Sequence, residues 1–92
     1  MIVQGVQLKI RGHVQGVGYR WFAYRAATRL KLTGWVKNNY DGSVLAVAEG
    51  ERGLLEDLIA ELKVGPMNGH VTDIEVLWVD PTNTFSGFEI RH

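Results

Sequence analysis

The chain contains no cysteine. That absence excludes disulfide scaffolds, thiolate zinc sites and cysteine nucleophiles together, and a reducing cytosol is compatible with it. Long apolar runs are missing too. The N-terminal stretch MIVQGVQLKIRG alternates apolar and polar residues. Neither a signal peptide nor a membrane span is therefore expected, and the expected setting is cytoplasmic, with no membrane partner. No linker, repeat or low-complexity segment interrupts the 92 residues, so residues 1–92 are expected to form a single domain. A hydrophobic content of 46% suffices for a modest core without metal or disulfide support.

Acidic residues are absent from the first forty positions, which carry seven Lys and Arg, a net +7. Positions 41–92 hold ten acids against Arg52, Lys63 and Arg91, a net −7. Two readings fit. Either the halves interleave and the charges mix, or the first half builds an anion site. Overall neutrality argues against a broad nucleic-acid footprint, so no nucleic-acid partner is expected.

What is present is a clear alternation of element types. Val6, Leu8 and Ile10 alternate with Gln7, Lys9 and Arg11, a strand with one apolar face. WFAYRAATRLKL places Phe22, Ala23, Ala26, Ala27 and Leu30 on one helical stripe, with Gly34 expected to end that segment after Thr33. Trp35–Asn39 and Ser43–Glu49 read as strands around Asp41-Gly42, expected to be a hairpin turn with both central residues at positive φ. The second of these strands is apolar on both parities, which fits an interior position. Gly53–Val64 reads as a helix with Leu54, Leu55, Leu58, Ile59 and Leu62 inward, stopped by Gly65-Pro66. Val71–Val79 is a half-exposed strand, Pro81–Ser86 a polar loop, and Phe88 and Ile90 mark a short closing strand. The order βαββαβ predicts an α+β, ferredoxin-like sandwich, its mainly antiparallel sheet covered on one face by two helices.

Between the first strand and first helix lies GHVQGVGYR, Gly12–Arg20. Glycines let successive N–H groups converge on one point, an anion-binding nest, and the following helix adds the positive end of its dipole. Arg20 at that junction either clamps a phosphate or pairs with a surface acid. No Gly-Lys-Ser/Thr follows, so the loop is not a Walker A motif. Asn38 and Asn39 close the second strand. They read either as turn residues or as amides that hold a water without repelling an anion. His13, His70 and His92 lack metal-ligand spacing, and no carboxylate lies in the glycine stretch. Ser43 and Ser86 lack a nucleophile-elbow context. The aromatic octamer of an RNA-recognition domain is missing, which disfavours an RNA-binding reading of the same element order.

GHVQGVGYR resembles the first signature of the acylphosphatase family, Gly-x-Val-Gln-Gly-Val-x-Phe-Arg. Gly34–Gly50, GWVKNNYDGSVLAVAEG, is similar to its second, with Asn38, Gly42, Val44 and Gly50 at the matching places. Tyr19 departs from the usual phenylalanine, and its hydroxyl needs water or a partner. The resemblance implies hydrolysis of small acyl phosphates to a carboxylate and inorganic phosphate, with no metal or other cofactor. It implies that Arg20 binds the phosphate and Asn38 orients the attacking water. The backbone N–H groups of Gly16, Val17, Gly18, Tyr19 and Arg20 would cradle the phosphoryl oxygens. The protein is expected to act as a monomer. The competing expectation is a non-catalytic anion-binding regulatory module on the same fold.

Overall fold

The computed structural model describes residues 2–92. Strand β1 (Val3–His13) leads into helix α1 (Tyr19–Arg29). Strands β2 (Thr33–Asn38) and β3 (Val44–Glu51) follow, then helix α2 (Arg52–Val64) and strands β4 (His70–Val79) and β5 (Phe88–Ile90). Strand alternation sorts the residues by face as expected. Val6, Leu8 and Ile10 of β1 are fully buried with Val36, Val44, Ala46 and Ala48 of the neighbouring strands. They pack against Ala23, Ala26 and Ala27 of α1 and Leu55, Leu58, Ile59 and Leu62 of α2. Small residues on α1 let the helix approach the sheet closely, while each buried leucine of α2 contributes about 1.5–3 kcal/mol.

The sheet order is β4-β1-β3-β2-β5. β1 pairs antiparallel with β3 and β4, and β2 antiparallel with β3. The closing strand β5 runs parallel to β2. This is the expected ferredoxin-like arrangement, with β5 as a short parallel edge. The interior position expected for β3 is met: it lies between β1 and β2.

Three local expectations are corrected. Gly34 does not end α1. The helix stops at Arg29, and Lys31 takes the left-handed turn with φ 59°. The Lys31 N–H reaches Thr28 O at 3.0 Å and the Leu32 N–H reaches Ala27 O at 2.9 Å, the double bond pattern of a Schellman stop. Gly34 instead lies inside β2 at φ 138°, where a Cβ would sit 1.8 Å from Val47 O. A close backbone approach, not a helix stop, requires glycine there.

The hairpin between β2 and β3 also differs. Gly42 has φ 90°, and Asp41 is not at positive φ. The Gly42 N–H donates to Asn39 O at 3.3 Å and the Asn39 N–H to Ser43 O at 2.9 Å. The loop is thus one residue longer than a two-residue turn, and glycine is needed once. Tyr19 joins the buried stripe of α1, whereas Phe22 and Leu30 are only partly buried against the core.

The polar loop from β4 to β5 is held by Glu49, a buried carboxylate on β3. Glu49 accepts from the Thr82 N–H (2.7 Å), the Thr82 hydroxyl (3.0 Å) and the Asn83 N–H (3.0 Å). Three donors compensate the desolvation of the acid. The anchored loop delivers β5 to the free edge of β2, and the pairing continues through the Arg91 N–H to Val36 O at 2.8 Å. Ile90, Arg91 and His92 thereby arrive beside the start of α1.

Candidate active site

The segment between β1 and α1 is pinned at both ends by side chains that dive into the core, Val14 and Tyr19, each 1% exposed. Between them Gly16 (φ 74°) and Gly18 (φ 77°) flank Val17. A Cβ at either glycine would meet nothing within 4 Å, so the left-handed backbone and not crowding demands glycine. Left-handed residues alternating with an ordinary one turn neighbouring N–H groups to the same side. Phe22 is the first residue of the region whose N–H finds a backbone acceptor, Gly18 O at 3.0 Å. Among the described residues none accepts from the N–H groups of Gly16 through Arg20. Gly18 caps α1 without a side-chain bond, and no acid sits in the first turn. The positive end of the helix is left uncompensated.

Arg20 projects from that first turn. Its Nη1 donates to Arg91 O at 3.2 Å and lies 3.1 Å from His92 Nδ1. Other cations of the acid-free first half do pair with the acidic second half. Lys9 meets Asp41, Arg11 meets Asp73 and Glu75, and Arg29 meets Glu61. The mixing reading of the charge pattern therefore holds for these three of the seven cations, while Arg20 makes no ion pair among the described residues.

Asn38 and Asn39 differ in their surroundings. The Asn39 side-chain amide donates to Ser43 Oγ at 3.0 Å, and the Asn39 backbone carbonyl accepts from the Gly42 N–H; it is a turn residue. Asn38, at the end of β2, has a buried Oδ1 with no hydrogen-bond partner. A buried acceptor left unpaired typically costs about 1–3 kcal/mol, so this atom calls for a donor. A cavity of about 210 Å³ is lined by Gly16, Gly18, Tyr19 and Arg20 on one side and by Asn38 and Ile90 on the other, with Val14 and Trp21 completing it. Of the five expected cradle residues, Val17 does not line this cavity. It is partly buried against the core.

Two further residues were not among the expected site residues. Gln15 Nε2 donates to Asn39 O and to Ser43 O, both at 2.8 Å. It ties the glycine loop to the hairpin that follows Asn38. Nothing in its spacing predicts this, because the acceptors lie 24 and 28 positions away. Trp21, beside Arg20, also lines the cavity. The Tyr19 hydroxyl finds its partner in Leu62 O at 2.8 Å, and burial pushes its pKa well up, so it stays a donor. Asp41 is held well below the usual carboxylate range, chiefly by the Ser43 hydroxyl (2.5 Å) and then by Lys9. Among the described residues no group of three or more His, Cys, Asp or Glu converges as a metal site needs.

By geometry the class is a ferredoxin-like α+β protein in which a cavity at a helix N-terminus is lined by a glycine loop, an arginine and a buried amide oxygen without a partner. The acylphosphatase family model matches residues 6–90. An acylphosphatase of Salinibacter ruber is 46% identical over 86 residues, 94% of this chain and 90% of that protein. The crystal structure of acylphosphatase from Bacillus subtilis superposes with a TM-score of 0.94 at 35% identity, covering 99% of this chain and all of that one. Full-length HypF, in its phosphate- and nucleotide-bound form, matches with a TM-score of 0.92 at 34% identity over 99% of this chain but 12% of its own. The chain belongs to the acylphosphatase family of hydrolases.

Proposed function

We propose that this site hydrolyses small acyl phosphates by direct attack of water on a phosphoryl group. The N–H groups of Gly16–Arg20 and the Arg20 guanidinium hold the phosphoryl oxygens, and Asn38 holds the water. The carrying observation is the shared cavity: an arginine without a carboxylate partner and an unpaired buried amide oxygen line the same space. A water that donates one hydrogen to Asn38 Oδ1 presents a lone pair to phosphorus. The water oxygen bonds to phosphorus, the bond from phosphorus to the acyl oxygen breaks, and the electron pair leaves with the carboxylate. The water's proton passes to a phosphoryl oxygen of the substrate.

The chemistry suits the residues. A carboxylate is a good leaving group, so the transition state is loose, and positioning plus charge stabilisation supply most of the catalysis. No strong general base is required, and no carboxylate side chain lines the cavity. The chain acts in this reading as a monomer and as one domain, and its single sheet and end-to-end match to a family relative support the single domain. The test is phosphate release from acetyl phosphate with chelator present, against a phosphate monoester control. Rapid release from the acyl phosphate alone is expected. Phosphate binding without turnover would point to a non-catalytic anion-binding module instead.

A further inference from the structure

The cavity has one wall that the reaction does not use. Trp21 follows Arg20 on α1 and lines the same cavity, yet it is 56% exposed. Its ring stacks on Tyr24, three residues on, with centroids 5.3 Å apart and planes 15° from parallel. The offset stack covers part of one indole face and restrains the ring's orientation. The Ile90 side chain, partly buried, contributes a second apolar surface to the cavity. The site is thus polar where backbone N–H groups and Arg20 converge and apolar at Trp21 and Ile90.

An acyl phosphate has the same two-part character. With its phosphoryl group in the N–H cradle, its acyl group must extend away from the loop and the guanidinium. We infer that Trp21 is the platform for that acyl group, and that the preferred substrates are acyl phosphates whose acyl part is a planar aromatic ring. A planar ring can cover the indole, remove its apolar area from water and gain the offset-stacking contact that a methyl group cannot. Stacking on an exposed aromatic side chain is commonly worth a factor of about 10 in binding. The inference rests on the hydrolytic reading above, and it adds to that reading a residue and a substrate class.

The experiment measures kcat/KM for benzoyl phosphate and acetyl phosphate with chelator present. The proteins are wild type, Trp21→Ala, Trp21→Leu and Trp21→Phe. Wild type is expected to prefer the benzoyl compound by roughly 10-fold, mostly through KM. Trp21→Ala and Trp21→Leu should lose most of that ratio, and Trp21→Phe should keep most of it. A ratio that does not change in any variant overturns the inference, whether both substrates slow equally or neither does. So does a ratio retained by leucine, because apolar bulk would then suffice without a ring. Wild-type inactivity toward both compounds overturns the hydrolytic reading and the inference with it, a result distinct from active hydrolysis without selectivity.

Discussion

The Tyr19 hydroxyl donates a 2.8 Å hydrogen bond to the carbonyl of Leu62. Leu62 lies in the last turn of α2, and the residue four positions later is Pro66, which has no N–H to offer. The tyrosine supplies the donor that the helix cannot. The same bond ties the first residue of α1, at the edge of the glycine loop, to the end of the second helix. Tyr19→Phe should leave a buried carbonyl unpaired and cost about 1–3 kcal/mol in denaturant unfolding. The pH dependence follows from the raised pKa. Above the ordinary tyrosine value of 10.0 the unfolded chain ionises while the folded one stays protonated. Wild-type stability should therefore fall as pH rises through that range, and its advantage over Tyr19→Phe should shrink.

Arg20 and Asn38 should separate in their effects. Arg20→Ala is expected to weaken competitive inhibition by inorganic phosphate and to lower turnover, by roughly 10²–10³-fold in rate, with the fold retained by circular dichroism. Asn38→Ala should lower turnover while phosphate inhibition changes little. A large loss of phosphate inhibition in Asn38→Ala would count against its water-holding role.

Gln15 bridges two pieces of the site through two 2.8 Å bonds. Gln15→Ala should lower kcat and cost about 1–3 kcal/mol of stability. Gln15→Glu should do more damage, because an ionised carboxylate cannot donate to the two carbonyls it would face. Steady-state kinetics and thermal unfolding of the two variants at neutral pH read this order directly.

Asp41 organises the hairpin after Asn38 by accepting from the Ser43 N–H at 3.0 Å and by pairing with Lys9 at 3.0 Å. Its pKa is lowered from the ordinary 3.8, so the folded state favours the ionised form. Its contribution should be fully present above about pH 5 and should fade as pH falls through the carboxylate range and below. The difference in unfolding midpoint between wild type and Asp41→Asn should therefore shrink in acid.

Gly34→Ala should abolish or severely weaken folding, since the new methyl group would overlap Val47 O at 1.8 Å. Gly87→Ala is the matched control. A Cβ there meets nothing within 4 Å, and its φ is not positive, so its melting temperature should move little.

Much of this architecture is written in local pattern. The alternation of Val6, Leu8 and Ile10, the leucine stripe of α2 and the Gly65-Pro66 stop each depend on residues a few positions apart. The glycine loop was legible for the same reason: positive φ at Gly16 and Gly18 is a property of the residue type. The pairing of Arg20 with Asn38 as one site came from two matched signatures, and spacing alone left both residues with rival roles.

What local pattern did not contain were the partners. Whether Gly34 ended a helix or faced Val47 depended on how closely β2 and β3 approach. Whether Arg20 met an acid depended on which charges the closed sheet brings near it. Gln15 found its carbonyls, and Tyr19 its helix end, across more than twenty intervening residues. Backbone preference is set within a few residues by sterics and hydrogen bonding, and one strand or helix can express it. A contact between distant residues exists only after several elements have packed in one register, so its energy belongs to the assembled fold.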